Sequence, residues 1–170
     1  MSSTFFENYC FYHSPIGLIK IGETEGFITR ADFTEQSIES KKSKSECISK
    51  SNPLLKDACR QLDEYFEGIR KKFDLAIKPN GTYFQRSAWE SLLCIPYGET
   101  RSYIQQAETI LNPKAIRAIG QANSKNPISI IIPCHRVIGK NGSMTGYAGG
   151  INRKRELLLM EHRFMHEQNY

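Results

Sequence analysis

Apolar segments separated by polar turns occupy the first 35 residues of the chain, a pattern that predicts β structure. Three segments rich in aromatic and β-branched residues, at 8–13, 18–23 and 27–33, are separated by turn sequences such as Ser14-Pro15-Ile16-Gly17. A three-strand meander fits this spacing. Residues 36–51 are rich in Ser, Lys and Glu and poor in core residues, so we expect a mobile surface loop there.

The periodicity becomes helical after Asn52, which can cap a helix whose first turn holds Pro53. The helix is expected to end at Gly68, and a short strand at 73–77 to return to the sheet. The apolar positions at helical spacing are Leu55, Cys59, Leu62 and Phe66. Nothing in this half of the chain indicates chemistry.

The turn-rich segment 78–82 predicts a boundary between an N-terminal domain at 1–79 and a C-terminal domain at 80–170. Helices dominate beyond it. The first, over 84–94, carries one apolar stripe that includes the only tryptophan, Trp89, which we interpret as a core residue rather than a stacking platform.

Two short helices follow, with the spacing of a helix-turn-helix. Ser102 can cap the first, over 103–109, and the second is expected to run from Pro113 to about Asn123. Ile116 and Ile119 would supply its docking face. A second face would hold small side chains flanked by polar ones, comprising Ala115, Ala118 and Ala122 with Lys114, Arg117 and Gln121. Such a face can approach a nucleic acid closely, although plain helix packing also explains it.

The candidate chemistry lies within the apolar segment 130–138, at Pro133-Cys134-His135-Arg136. The apolar flanks predict a buried strand or strand end, where each polar group needs a partner or a task. Adjacent strand residues point to opposite faces. Either Pro133 therefore bends the chain, or a water bridges Cys134 and His135.

A last helix, over 153–163 and capped by Asn152, places Glu161 on the same face as Leu157 and Leu158. A carboxylate on a docking face needs a partner, and a histidine with a carboxylate behind it can generate a thiolate nucleophile. Cys134, His135 and Glu161 are thus a candidate catalytic trio, though a Cys-His pair is also often structural.

Asn126, just before the apolar segment, could tie loop backbone groups together near Cys134, or could simply be a turn asparagine before a proline. The glycine-rich segment 139–150 contains Tyr147 and would allow a ligand close to the backbone.

Composition narrows the class of protein. The 170 residues are 39% hydrophobic and 24% charged, as in globular proteins. No apolar run approaches the roughly 20 residues of a membrane span. The start lacks a signal-peptide pattern, so we expect a reducing cytosol in which the five cysteines stay free. A zinc site built from Cys10, Cys47, Cys59 and scattered histidines is not expected. The net charge of +5 is carried largely around the Cys134 segment, by Lys114, Arg117, Lys125, Arg136, Lys140, Arg153, Lys154 and Arg155.

The segment 133–137, preceded by Asn126 and followed by Gly146-Tyr147 and Gly149-Gly150, closely resembles the O6-alkylguanine-DNA alkyltransferases. The resemblance runs colinearly from about Gly81 to His162, whereas the N-terminal half resembles the family only in layout. Its further motifs are Gly81-Thr82, Phe84-Gln85, Trp89, Ile95-Pro96-Tyr97-Gly98, Ser102-Tyr103, Asn112-Pro113-Lys114-Ala115, Arg117-Ala118 and Leu157-Leu158 with Glu161.

The resemblance implies an α/β (α+β) fold: a small antiparallel sheet with a helix, like a ribonuclease H roll, followed by a mainly helical, winged-helix-like domain with a helix-turn-helix. The resemblance also implies a catalytic role for each of several residues. Cys134 would attack the alkyl group, His135 would take the thiol proton through a water, and Glu161 would orient that histidine. Asn126 would brace the loop, and Tyr103 would donate to guanine N3.

The resemblance also implies a DNA surface and a pocket. Arg117 would fill the gap left by a flipped base, because O6 is hidden in the stacked duplex. The expected DNA contacts are Arg117, Tyr103, Ala115, Ala118, Lys114, Gln121 and Lys154. The expected pocket residues are Pro133, Val137, Tyr147, Ala148, Gly149 and Trp89, with the carbonyls of Cys134 and Val137 and the amide of Ala148 contacting the base.

The implied function is DNA repair by one stoichiometric transfer from O6-alkylguanine, and from O4-alkylthymine, in double-stranded DNA bound through the minor groove. No cofactor or metal is expected, and we expect a cytoplasmic monomer (nuclear in a eukaryote), with cooperativity on DNA left open. Ala148 departs from the serine frequent in the family. The alternatives are a non-catalytic damage sensor and a cysteine hydrolase unrelated to DNA.

Overall fold

A computed structural model describes residues 8–35, 46–47 and 52–166 of the chain. The chain divides into two compact units, Met1–Pro79 and Asn80–Tyr170. Among the described residues, no helix is long and apolar enough to cross a membrane.

The first unit contains the predicted meander, which is confirmed as three antiparallel strands, β1 (Asn8–Ser14), β2 (Gly17–Thr24) and β3 (Phe27–Phe33). A two-residue strand, β4 (Glu46–Cys47), pairs with β1 and gives the order β3-β2-β1-β4. These two residues were expected to belong to a loop. The rest of that predicted loop lies outside the described residues.

Helix α1 (Pro53–Phe66) begins as predicted, because the side chain of Asn52 accepts a hydrogen bond from the Leu55 amide. Of the four apolar positions at helical spacing, Leu55, Cys59 and Leu62 are buried and Phe66 is half-buried, whereas its neighbour Tyr65 is fully buried. The segment 73–77 does return to the sheet, but as a single parallel bridge between Ile77 and Ile28 of β3 and not as a strand. The Gln61 side chain hydrogen-bonds both the amide and the carbonyl of Asp74, so these two backbone groups are satisfied without a partner strand.

The second unit is mainly helical, with α2 (Tyr83–Leu93), α3 (Tyr103–Thr109), α4 (Ile116–Ser124) and α5 (Ile151–His166). Thr82 and Ser102 each form a capping box, with Gln85 and Gln105 respectively. A short parallel pair joins β5 (Arg101–Ser102) to β6 (Val137–Ile138). The predicted α/β fold class, with a small sheet unit and a helical unit, is confirmed.

The helix-turn-helix pair packs against α2 around small apolar side chains, but two details of its prediction are wrong. Helix α4 begins at Ile116 rather than Pro113, because Pro113 and Lys114 form a turn. Its docking face holds Ile119 and Ala122, whereas Ile116 is 40% exposed. Ala122 therefore belongs to the core and not to a free small-residue face.

The central apolar segment is not the predicted strand. Cys134–Arg136 forms a single 3-10 turn, which begins after Pro133 and is closed by the Arg136 amide donating to the Pro133 carbonyl. Only β6 follows it as extended chain. The apolar residues on both sides are buried all the same, so burial alone did not distinguish a strand from a tight turn.

Candidate active site and DNA-contacting surface

The Cys134 thiol is held inside the second unit by the side chain of Asn126. The Asn126 amide nitrogen donates to Cys134 Sγ at 3.2 Å and to the Ile132 carbonyl at 2.8 Å, while its oxygen accepts from the Ile128 amide at 3.0 Å. Asn126 thus connects the segment before the turn to the thiol. These hydrogen bonds favour the interpretation that Asn126 ties loop backbone groups together near Cys134 over that of a turn asparagine before a proline.

Burial raises the pKa of the Cys134 thiol, because the thiolate is disfavoured where water is excluded. The hydrogen bond from Asn126 and the positive charge of Lys154 act in the opposite direction. The sulfur therefore needs an adjacent proton acceptor, or a charge, to become nucleophilic.

His135, the residue that follows Cys134, forms a fully buried pair with Glu161. The ring atom Nε2 of His135 lies 2.9 Å from Glu161 Oε1, and both side chains are 0% exposed. A carboxylate accepts hydrogen bonds, so the proton of the neutral ring sits on Nε2 and the lone pair on Nδ1. Among the described residues, none forms a hydrogen bond with Nδ1. The site thus combines a buried thiol with an imidazole nitrogen that is able to accept a proton.

Burial and the neighbouring charges keep Glu161 ionised and His135 neutral. Burial would raise the pKa of Glu161, but the hydrogen bonds from His135 and Arg136 and the positive charge of Arg136 outweigh it and hold that pKa far below its ordinary range. For His135, burial lowers the pKa despite the neighbouring carboxylate. The imidazole therefore stays neutral near pH 7.

Arg136 is a site residue whose role the sequence did not reveal. Its guanidinium Nε donates to Glu161 Oε2 at 3.0 Å, its Nη2 to Oε1 at 2.9 Å, and its Nη1 to the Ile95 carbonyl at 2.7 Å. The Gly98 amide completes the set, donating to Glu161 Oε2 at 3.0 Å. The consecutive placement of Arg136 after Cys134 and His135 was the only sequence signal for this network.

Lys154, expected to contact DNA, is instead 1% exposed. Its ammonium donates to the Val137 carbonyl at 2.6 Å and to the Thr145 carbonyl at 2.9 Å, so it cannot reach a phosphate without breaking both bonds. The prediction failed because a lysine stem can be buried when backbone carbonyls satisfy its head group. Lys154 instead ties the glycine-rich loop to β6 and places a positive charge near the thiol.

Tyr103 and Tyr147 flank the same region. The Tyr103 hydroxyl donates to the Thr145 carbonyl at 2.9 Å, and burial raises its pKa, although that hydrogen bond opposes the shift. Tyr147 is buried, and its ring meets His135 edge-on with 6.4 Å between ring centroids. Both tyrosines are close enough to Cys134 to interact with it electrostatically.

Of the other expected pocket residues, Pro133, Val137 and Gly149 are buried and Ala148 is exposed. Trp89 does not belong with them. It is 1% exposed, and its indole N–H donates to the Ala122 carbonyl at 2.9 Å, which ties α2 to α4. Its assignment to the pocket is thus corrected, and its interpretation as a core residue agrees with the structure.

The helix-turn-helix presents a polar, cationic surface. Lys114, Arg117, Ala118 and Gln121 are exposed and Ala115 is half-buried, as a DNA-contacting face requires. Among the described residues, no group of three His, Cys, Asp or Glu side chains is arranged to hold a metal ion.

A buried thiol backed by a His-Glu pair, in the same unit as a cationic helix-turn-helix, defines a class: a DNA-binding protein with a reactive-cysteine site. Residues 83–163 match the family model of the 6-O-methylguanine DNA methyltransferase DNA binding domain, and residues 8–79 match that of its ribonuclease-like domain. The chain belongs to the 6-O-methylguanine DNA methyltransferase family.

Individual relatives agree with this assignment. A methylated-DNA–protein-cysteine methyltransferase of Methanosarcina acetivorans is 46% identical over 90% of this chain and 97% of that relative. The constitutive enzyme of that name from Bacillus subtilis is 42% identical over 94% and 98%. The crystal structure of a Mycobacterium tuberculosis homologue, OGT, in complex with DNA superposes with a TM-score of 0.78 at 43% identity, covering 91% of this chain and 92% of that one.

Proposed function

We propose that this protein repairs DNA by moving the alkyl group of O6-alkylguanine, and of O4-alkylthymine, onto its own Cys134 in a single turnover. The observation that carries the proposal is the buried Cys134 thiol held by Asn126, with the His135–Glu161 pair beside it. The family of the chain and the DNA complex of its mycobacterial relative support DNA as the partner.

In the proposed reaction, Cys134 Sγ forms a bond to the alkyl carbon as the bond from that carbon to O6 breaks. The thiol proton passes through a water to Nδ1 of His135, whose charge Glu161 then stabilises. Tyr103 gives a proton to N3 of the departing guanine and becomes a phenolate. The proton taken up by His135 then returns to this phenolate through solvent, so the thiol proton replaces the one given to guanine and both side chains end neutral. The lone pair on Nδ1, fixed by the Nε2–Glu161 hydrogen bond, supports this direction of transfer.

The target base must leave the stack to reach a buried thiol. We assign the filling of the resulting gap to Arg117, and the contact with the minor groove to α4, whose exposed Ala118 permits close approach. The carbonyls of Cys134 and Val137 and the amide of Ala148 would recognise the flipped base.

The product is a thioether, which has no hydrolytic route back to the thiol, so each molecule acts once. The protein would work as a monomer without a cofactor, in the cytoplasm or, in a eukaryote, the nucleus.

The test uses a duplex carrying one O6-methylguanine, followed by peptide mass analysis. We expect the peptide with Cys134 to become heavier by one methylene, and Cys134→Ala to abolish the change. Cys94→Ser is the matched control, because Cys94 is the exposed cysteine of the second unit, and it should leave transfer unaltered. Methyl groups that stay on the DNA, or that appear on another residue, would overturn the proposal.

A further inference from the structure

Helix α3 ends in an unusual way, with a leucine in the position where helices favour glycine. The Leu111 amide donates to the Glu108 carbonyl and the Asn112 amide to the Ala107 carbonyl, each at 2.9 Å, which is the hydrogen-bond pattern of a Schellman cap. Leu111 has a φ of 57°, in the left-handed region that disfavours a side chain with a Cβ. Glycine would make this turn without strain.

Packing does not compensate for the strain. The Leu111 side chain is 92% exposed, more than any other large apolar side chain in the described part of the chain. Ile116, in the first turn of α4, is a second exposed apolar residue at 40%. Neither backbone conformation nor packing at Leu111 stabilises the fold. A strained residue of this kind indicates a functional role for its side chain, such as contact with a partner.

The charge of the surrounding surface indicates which partner would cover Leu111. Lys114 and Arg117 follow it closely in the chain and are exposed. The turn also lies inside the segment that matches the DNA binding domain of the family. An apolar side chain among cations suits the edge of a DNA groove, where deoxyribose presents carbon atoms between the phosphates.

We propose that Leu111 is a DNA-contacting residue that packs against deoxyribose of the strand next to α4. The proposal rests on the proposed function, because it takes DNA as the partner of the helix-turn-helix. The conformational strain at Leu111 is retained because it presents the side chain to the duplex.

Binding of a fluorescent, undamaged duplex tests the proposal by anisotropy over a series of salt concentrations. Leu111→Gly should weaken binding about fivefold at every salt concentration, as expected for the partial burial of one leucine. The slope of affinity against salt should not change, because no phosphate contact is lost. Leu111→Met keeps an apolar side chain and should bind within about twofold of the wild type, by the same reasoning.

Two controls separate this contact from other effects. Lys114→Met should reduce the salt slope by about one, the signature of a lost phosphate contact. Leu159→Ala removes a leucine that is 59% exposed on α5, and it should not change binding. The thermal midpoint of Leu111→Gly should equal or exceed that of the wild type, so that loss of folding cannot explain weaker binding.

Wild-type affinity for Leu111→Gly would overturn the proposal, as would an equal loss in Leu159→Ala. The binding assay does not involve alkyl transfer. If the wild type binds DNA but transfers no methyl group, the proposed function fails, while the result for Leu111 still stands. If the wild type transfers methyl groups and Leu111→Gly binds normally, only the inference about Leu111 fails.

Discussion

The buried carboxylate of Glu161 should be the most sensitive position of the site. It accepts hydrogen bonds from His135, Arg136 and the Gly98 amide, all between 2.9 and 3.2 Å, and none of its side chain is exposed. Glu161→Gln keeps the shape of the side chain but replaces one acceptor oxygen with a donor that faces other donors. It also leaves the Arg136 charge buried without its partner.

Breaking a buried ion pair by removing one partner costs about 3–5 kcal/mol. That is a large share of the roughly 5–15 kcal/mol by which domains are stable. We therefore expect Glu161→Gln to lower the free energy of unfolding in urea by about 3 kcal/mol or more, and to slow methyl transfer strongly. Glu156→Gln, on the exposed face of the same helix, is the control and should change stability by less than about 0.5 kcal/mol.

A double-mutant cycle isolates the ion pair. Combining Glu161→Gln with Arg136→Met removes the stranded charge, so the double variant should be more stable than the sum of the single losses predicts, by about 1–3 kcal/mol. A loss below about 1 kcal/mol for Glu161→Gln, or strict additivity in the cycle, would refute the reasoning.

The pH dependence of stability gives a separate check on Glu161. The pKa of this carboxyl lies below its ordinary value of 4.5 in the folded protein, so its stabilising contribution is complete above pH 4.5 and is lost as pH falls further. The stability difference between the wild type and Glu161→Gln should narrow in that acidic range. A difference that stays constant would contradict the assignment.

Three further predictions concern the thiol and its neighbours. Asn126→Ala removes three buried hydrogen bonds, so it should lower the free energy of unfolding in urea by about 1–3 kcal/mol. It should also slow transfer about tenfold in single-turnover kinetics. Unchanged kinetics would show that Asn126 does not position the Cys134 thiol. Lys154→Met should move the pH profile of transfer to higher pH, because its charge opposes the rise in the pKa of the Cys134 thiol; an unshifted profile would exclude that effect. In the wild type, transfer should stay constant down to pH 6.5 and fall only below it, because burial lowers the pKa of His135; a decline that begins above pH 6.5 would show that His135 is not the neutral base.

Local features of the sequence predicted much of the fold. The caps Asn52 and Ser102 act within three residues of themselves, so their helices begin where the sequence places them. The turn at Cys134–Arg136 was missed because its apolar neighbours are buried in either conformation. The start of α4 was missed because proline suits both a first helical turn and the loop before it.

The residues of the candidate site also divide into those that local sequence features predicted and those that they did not. Glu161 was expected to need a partner because it shares a helix face with Leu157. The ion pair with Arg136 joins residues 25 positions apart, and the Lys154 contacts are with backbone carbonyls, so neither could be derived from side-chain pattern alone. Charged residues usually indicate surface, and two of the cations expected around the cysteine segment are instead buried structural parts of the site.

The stoichiometry of transfer tests the central claim most directly. A fixed amount of protein is incubated with an excess of duplex carrying O6-methylguanine with an isotopically labelled methyl group, and the label on intact protein and on DNA is followed to completion. Self-alkylation of Cys134 predicts a plateau at about one methyl group per molecule, all of it as S-methylcysteine at Cys134. Demethylation that continues beyond one equivalent, with the label released into solution, would contradict the account.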